Sequence, residues 1–283
     1  MSALTVTPYE RRYRQTVLDL LYNSAQTHLH LDWYTPEQWL DGITTPLYLA
    51  WNHRRLLGAL GISSPLGQTS WLRMVIVRDG TLPVPVLKML WGGIQPDLSR
   101  LDVASVWILA ANGWLLDYAG VLGFAPAEMV ISLHRPSVAP PPLRPTELDI
   151  RAAELDDIPA MTTIDQQAFT PPWQLTQADI WQAARMAAVC TTAWQAGRMV
   201  GYQLSTRHRD GGHLARLAVL PEVQGQGVGG ALLHRMIEAF RARRVYELTV
   251  NTQLSNLRSQ RLYESYGFER NGYDLPVWTT AVL

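Results

Sequence analysis

The chain predicts a layered α/β fold, with α+β layering, made twice over, and three observations carry that expectation. Apolar residues switch between strand-like and helix-like periods in the order strand, helices, strands, helix, strand, helix, strand. Trp51, Arg55 and Gly58 return in the same spacing as Trp194, Arg198 and Gly201, and Asn112, Gly123 and Phe124 return as Asn256, Gly267 and Phe268, at an offset of 143 to 144 residues. A near-constant offset over several separated positions points to two copies of one fold. Between the copies, Pro136, Pro140, Pro141, Pro142 and Pro145 crowd a short stretch where missing amide donors oppose helix and ladder alike. We therefore expect one domain at 1–134, a semi-rigid linker at 135–147, and a second domain at 148–283.

The second copy shows its elements best. Leu148 to Ala152 reads as a strand, and Leu155 to Phe169 as a helix with Ile158, Met161, Ile164 and Phe169 turned to the core. Val189 to Trp194 and Met199 to Thr206 form a hairpin, and after an Asp210-Gly211-Gly212 turn His213 to Leu220 forms another strand. Val228, Leu232, Leu233, Met236, Ile237 and Phe240 then recur at helical spacing.

Composition narrows the function. With 283 residues and 47% hydrophobic content, each copy can bury its own core. Lys plus Arg and Asp plus Glu both total 24, so no overall charge draws the chain to nucleic acid or to an anionic membrane. Cys190 is the single cysteine, which leaves no internal disulfide and no thiol pair for a zinc site. No metal is expected. The first twenty residues carry Glu10, Arg11, Arg12, Arg14 and Asp19 in place of an apolar signal core, so a cytoplasmic location is expected.

The chemistry concentrates in Gln224-Gly225-Gln226-Gly227-Val228-Gly229-Gly230, between a strand and a helix. Glycines let the backbone turn tightly and approach a ligand, while the free amides of a helix start point at an anion. A pyrophosphate suits that place. The other reading is a Gly-rich turn that only ends a strand.

Gln224, Gly227 and Gly229 match Q/R-x-x-G-x-G/A, and with them the chain resembles the GNAT superfamily of acyl-CoA N-acyltransferases. Leu217-Ala218-Val219 resembles the family strand whose backbone pairs with the pantetheine arm. Asn256 opens the next helix, and Leu262-Tyr263-Glu264-Ser265-Tyr266-Gly267-Phe268 resembles L-Y-E-x-x-G-F. The resemblance implies acetyl-CoA as cosubstrate and an amine acceptor, a small molecule or peptide, in a monomer or homodimer. It implies that Tyr263 is the general acid: with a reference pKa of about 10, it keeps its proton at pH 7 yet can give it to a leaving thiolate. His213 falls where one branch of the family carries a catalytic glutamate, which makes it the candidate base. A solvated hairpin-end histidine is the alternative. Phe169-Thr170-Pro171-Pro172-Trp173 resembles the branch acting on ribosomal-protein alanine, which carries a glutamate where Asn251 stands here, so a base relayed through water stays open.

In the first copy the same offset sets Pro83 opposite Gly227, Pro85 opposite Gly229 and Ala119 opposite Tyr263. Proline offers no amide and cannot take glycine's backbone angles. The first copy is thus expected to be a degenerate GNAT domain, and the layout resembles that of mycothiol synthases, with a catalytic C-terminal domain. Two other functions stay open: a non-catalytic acyl-CoA-binding module, and a nucleotide-binding regulator, which lacks the Gly-Lys-Ser/Thr ending of a P-loop.

Overall fold

A computed structural model describes residues 4–110, 113–142, 147–209 and 211–282. Asn112, Pro145 and Asp210, used above, lie outside them. The first copy comprises β1 (Leu4–Pro8), α1 (Arg14–Tyr22), β2 (Gln26–Leu29), α2 (Pro36–Gly42), β3 (Leu47–Asn52), β4 (Arg55–Ile62), β5 (Thr69–Val77), α3 (Pro83–Arg100), β6 (Ser105–Leu109), α4 (Leu116–Ala119) and β7 (Ala125–Pro136). The second runs β8 (Asp149–Ala152), α5 (Ile158–Ala168), α6 (Gln177–Met186), β9 (Val189–Gln195), β10 (Arg198–His208), β11 (Gly211–Val219), α7 (Val228–Ala242), β12 (Glu247–Gln253), α8 (Leu257–Glu264), β13 (Glu269–Arg270) and β14 (Leu275–Ala281). Among the described residues, no helix is long and apolar enough to cross a membrane.

The two compact units are interleaved along the chain. Met1–Glu128 forms one with Leu275–Leu283, and Met129–Asp274 forms the other. In the first unit β14 pairs antiparallel with β6, from Val277↔Leu109 to Ala281↔Ser105. In the second, β7 pairs antiparallel with β12, from Glu247↔Pro136 to Gln253↔Val130. Each copy's last strand therefore completes the other unit's sheet. This differs from the boundaries read from proline content, because Pro136 closes a paired strand and is not linker.

Beyond it the chain is tied down. Arg135, buried, donates through Nε to Tyr266 O at 2.7 Å, and through Nη1 and Nη2 to Ser137 O and Ala139 O at 2.8 Å each. His234 Nδ1 lies 3.1 Å from Pro142 O. The segment after β7 is thus held to the second unit as far as Pro142.

The repeated glycines have a shared packing reason. A Cβ at Gly58 would lie 2.8 Å from Ile76 O and 2.6 Å from Val86, and one at Gly201 would lie 2.8 Å from Ala218 O and 3.2 Å from Val228. Each lets a helix, α3 or α7, settle on its sheet, where Val86, Leu87, Leu90 and Ile94, or Leu233, Met236, Ile237 and Phe240, build the core. Gly211 and Gly212 are part of β11, not of a turn, and close packing explains the residue type: a Cβ would meet Glu247 O at 2.3 Å in the first case and Phe240 at 2.8 Å in the second.

Candidate active site

β11 has two partners at its start and one at its end. It pairs with β12 in parallel only from Gly212↔Leu248 to Leu214↔Val250, whereas its pairing with β10 continues to Gly201↔Val219. The register with β10 slips at Ala215, since Leu204 faces Arg216 and Ser205 faces Leu214. A bulge bends its strand and interrupts the ladder, and here it coincides with the point where β11 and β12 part. Leu217, Ala218 and Val219 therefore have a strand neighbour on the β10 side alone. The backbone groups on their other edge are placed to pair with an extended ligand.

The glycine-rich segment follows directly. Gly225 and Gly227 stand at φ +84° and +90°, which L residues rarely adopt, and a Cβ on either would meet nothing within 4 Å. Gly227 is the N-cap of α7 and provides no side-chain cap. The first helical bond is Ala231 N to Gly227 O at 2.9 Å. Among the described residues, the amides of Val228, Gly229 and Gly230 have no backbone acceptor, as expected for a first turn. Gln224 joins this loop to its surroundings: Nε2 donates to Val219 O at 3.0 Å, and Oε1 accepts from Arg258 Nη1 on α8. Arg258 went unnoticed in the sequence, where an exposed helical arginine carries no signal.

Tyr263 is 5% exposed and sits among Leu233, Met236 and Phe268, whose ring lies 6.0 Å away. Burial pushes its hydroxyl up to about 12, against a lowering contribution from its hydrogen bond with Ser259. It therefore holds its proton at neutral pH. His213 lies on the doubly paired part of β11, with Nδ1 2.9 Å from Thr249 Oγ1. Burial, with a further contribution from His208, lowers it to about 4, so it is neutral and only weakly basic at pH 7. No hydrogen bond in the described structure joins it to Tyr263. Asn256 caps α8 through Oδ1, which accepts from Ser259 N at 3.1 Å. The same cap orients the helix that carries Tyr263 and Arg258.

A buried ion pair beside this edge was missed by sequence reasoning. Asp165 of α5, with no exposure, accepts from Arg216 Nε and Nη2 at 2.7 Å each, Tyr202 OH at 2.6 Å and Leu175 N at 2.8 Å. Arg216 also donates to Trp173 O at 2.7 Å and lies 3.6 Å over the Phe169 ring. One arginine next to Leu217 thus fastens the α5–α6 connection to β11. Four groups far apart in sequence make this cluster, so no local motif announces it.

The first unit shows what the second keeps open. Gly58 touches Val86 and Leu90 as Gly201 touches Val228 and Leu232, an offset of 142. Packing therefore sets Pro83 opposite Gly225 and Pro85 opposite Gly227, which corrects the pairing read at 144. α3 begins at Pro83 and so runs through the positions where the second unit has its loop. β2 pairs with β5 from Gln26↔Val77 to Leu29↔Met74, the residues that correspond to Arg216–Val219. The protein's own chain occupies that edge. Ala119 does stand opposite Tyr263: Phe124 N donates to Ala119 O and Phe268 N to Tyr263 O, at 3.1 Å in both units.

Comparison with known proteins agrees with this geometry. Residues 158–268 match the model of the acetyltransferase (GNAT) family. The [ribosomal protein bS18]-alanine N-acetyltransferase of Escherichia coli K12 is 34% identical over 119 residues, 42% of this chain and 79% of that protein. The chain belongs to the GNAT family of acetyltransferases. A mycothiol acetyltransferase of Brachybacterium faecium is 27% identical over 197 residues, 62% of this chain and 59% of that one. A solved tandem GNAT protein from the clavulanic acid biosynthesis pathway superposes with a TM-score of 0.69 at 15% identity, covering 99% of both chains. That likeness establishes the tandem fold.

Proposed function

We propose that the second unit is an N-acetyltransferase that takes acetyl-CoA along the free edge of β11 and passes its acetyl group to a primary amine of a small molecule or peptide. The parting of β11 from β12 at Leu214 carries this reading. The pantetheine arm pairs with Leu217, Ala218 and Val219, and the pyrophosphate lies on the amides of Val228, Gly229 and Gly230, in the loop that Gln224, Gly225, Gln226 and Gly227 form. The neutral amine attacks the thioester carbonyl, the tetrahedral intermediate breaks its C–S bond, and Tyr263 protonates the leaving thiolate. Desolvation raises the Tyr263 pKa, so Tyr263 holds its proton until the thiolate forms beside it.

His213, at about 4, is a poor match to a general base working near neutrality. A water-relayed path for the amine proton fits better. The first unit takes no acetyl-CoA, since β2 and the α3 start occupy both parts of the site. Titration calorimetry should give one acetyl-CoA per chain, abolished by Gly227→Pro. Two sites, or undiminished binding in that variant, would refute the assignment. Free-thiol release during a screen of amines and peptides separates the enzyme from an acyl-CoA-binding module, which binds without turnover.

A further inference from the structure

Arg258 enters the site from α8, and its setting gives it a task that the glycine-rich loop does not cover. Gln224 Nε2 donates to Val219 O at 3.0 Å, and Gln224 Oε1 accepts from Arg258 Nη1. One side chain thus bridges the last residue of β11 to the first turn of α8. The two helices also meet there, since a Cβ on Gly229, in the first turn of α7, would lie 3.2 Å from Leu262 Cδ2. Leu262 follows Arg258 by four residues, so the two share a face of α8. The Arg258 guanidinium is therefore held beside the turn whose amides lack backbone acceptors.

No carboxylate neutralises it. Among the described residues, Arg258 has Gln224 as its hydrogen-bond partner and makes no ion pair. Glu222, the one carboxylate of the loop, is engaged with Arg198 at 2.9 Å. Neither α7 nor α8 has an acidic residue in its first turn. A cation in the first turn of a helix is set against the helix dipole, and here a neutral amide holds it there. An anion at that point interacts favourably with both helix starts and with the guanidinium.

We propose that Arg258 binds the pyrophosphate of acetyl-CoA, donating from its guanidinium to a phosphate oxygen while the amides of Val228, Gly229 and Gly230 hold the same group from the α7 side. The inference rests on the acyltransferase reading above. A guanidinium offers five N–H donors, and Gln224 takes one of them. Arg258 can therefore keep its tie to Gln224 and still meet the phosphate with two parallel N–H groups. Gln224 then acts as a positioning residue, since it fixes the arginine before the ligand arrives.

Calorimetric titration of the full chain with CoA and with dephospho-CoA, which keeps the pyrophosphate and lacks the 3′-phosphate, tests this. Arg258→Ala should weaken both ligands equally, by about 10–100-fold at low salt, the range for losing a hydrogen bond to a charged group. The loss should shrink as ionic strength rises. Arg258→Lys keeps the charge and should recover part of the affinity, whereas Arg258→Gln keeps a donor for Gln224 without charge and should recover none. Arg258 is exposed, so the melting temperature without ligand should stay the same in all three variants. Recovery by Arg258→Gln would make the residue a loop support and overturn the proposal, as would a loss seen with CoA and absent with dephospho-CoA. Wild-type binding that is undiminished in Arg258→Ala would refute this inference alone. A wild-type chain that binds neither ligand would refute the acyltransferase reading and this inference with it.

Discussion

Removing the Arg216 side chain beyond its stem, as Arg216→Met, should destabilise the second unit severely. The substitution takes two of the four hydrogen bonds from the Asp165 carboxylate, which has no exposure, and leaves Tyr202 OH and Leu175 N as its donors. It also removes the Arg216 hydrogen bond to Trp173 O and the cation from the Phe169 ring. Breaking a buried pair by removing one partner costs about 3–5 kcal/mol, because the remaining charge stays buried. For a unit of this size that corresponds to a melting shift of roughly 6–20 °C, at about 2–4 °C per kcal/mol. Calorimetric melting measures it, and hydrogen exchange should show faster exchange around Thr170–Gln174, the segment that Arg216 holds. The double variant Asp165→Asn/Arg216→Met removes the charge, keeps an amide oxygen for Leu175 N and turns an NH2 donor to the Tyr202 hydroxyl, which can accept, so it should be more stable than Arg216→Met alone. A single-variant cost below about 1 kcal/mol would mean the pair is solvated and behaves like a surface salt bridge, and the account of the cluster would be wrong.

Tyr263→Phe should lower kcat by about 10²–10⁴-fold while acetyl-CoA affinity and melting temperature change little, since the ring keeps its place beside Phe268; near-normal turnover would remove Tyr263 from the mechanism. Stability should fall as pH is lowered from about 6.5 to about 4, because unfolded histidines take up protons near 6.5 whereas His28 and His213 in the folded chain resist until about 4. Denaturant midpoints across that window measure the effect, and His213→Gln should flatten part of the slope; an unchanged slope would show that His213 does not titrate as its burial requires. Gly225→Ala should weaken acetyl-CoA binding through strain at φ +84° with little loss of core packing, as titration calorimetry and melting on the same sample would show.

Local chemistry written in consecutive residues was legible. Positive-φ glycines ahead of an amphipathic helix, a tyrosine at fixed distance from Gly267 and Phe268, and a repeated hairpin glycine each leave a trace along the chain. The paired spacing announced two copies, and prolines at Pro83 and Pro85 announced that the first had lost its loop. Even there the offset needed the packing of Val86 and Val228 to fix it, because α3 begins earlier than α7.

Tertiary structure alone decided how strands are shared. β7 and β14 end equivalent copies, and period-2 patterning says which face of a strand is buried but not which sheet receives it. Their exchange between the units could not be read from order along the chain. The same holds for Asp165 with Arg216, 51 residues apart, and for β2, whose short polar sequence Gln26-Thr27-His28-Leu29 gives no sign that it seals the edge of β5. These features depend on which backbone edges are left unpaired once the sheet has formed, and that is a property of three-dimensional placement which no single stretch of sequence contains.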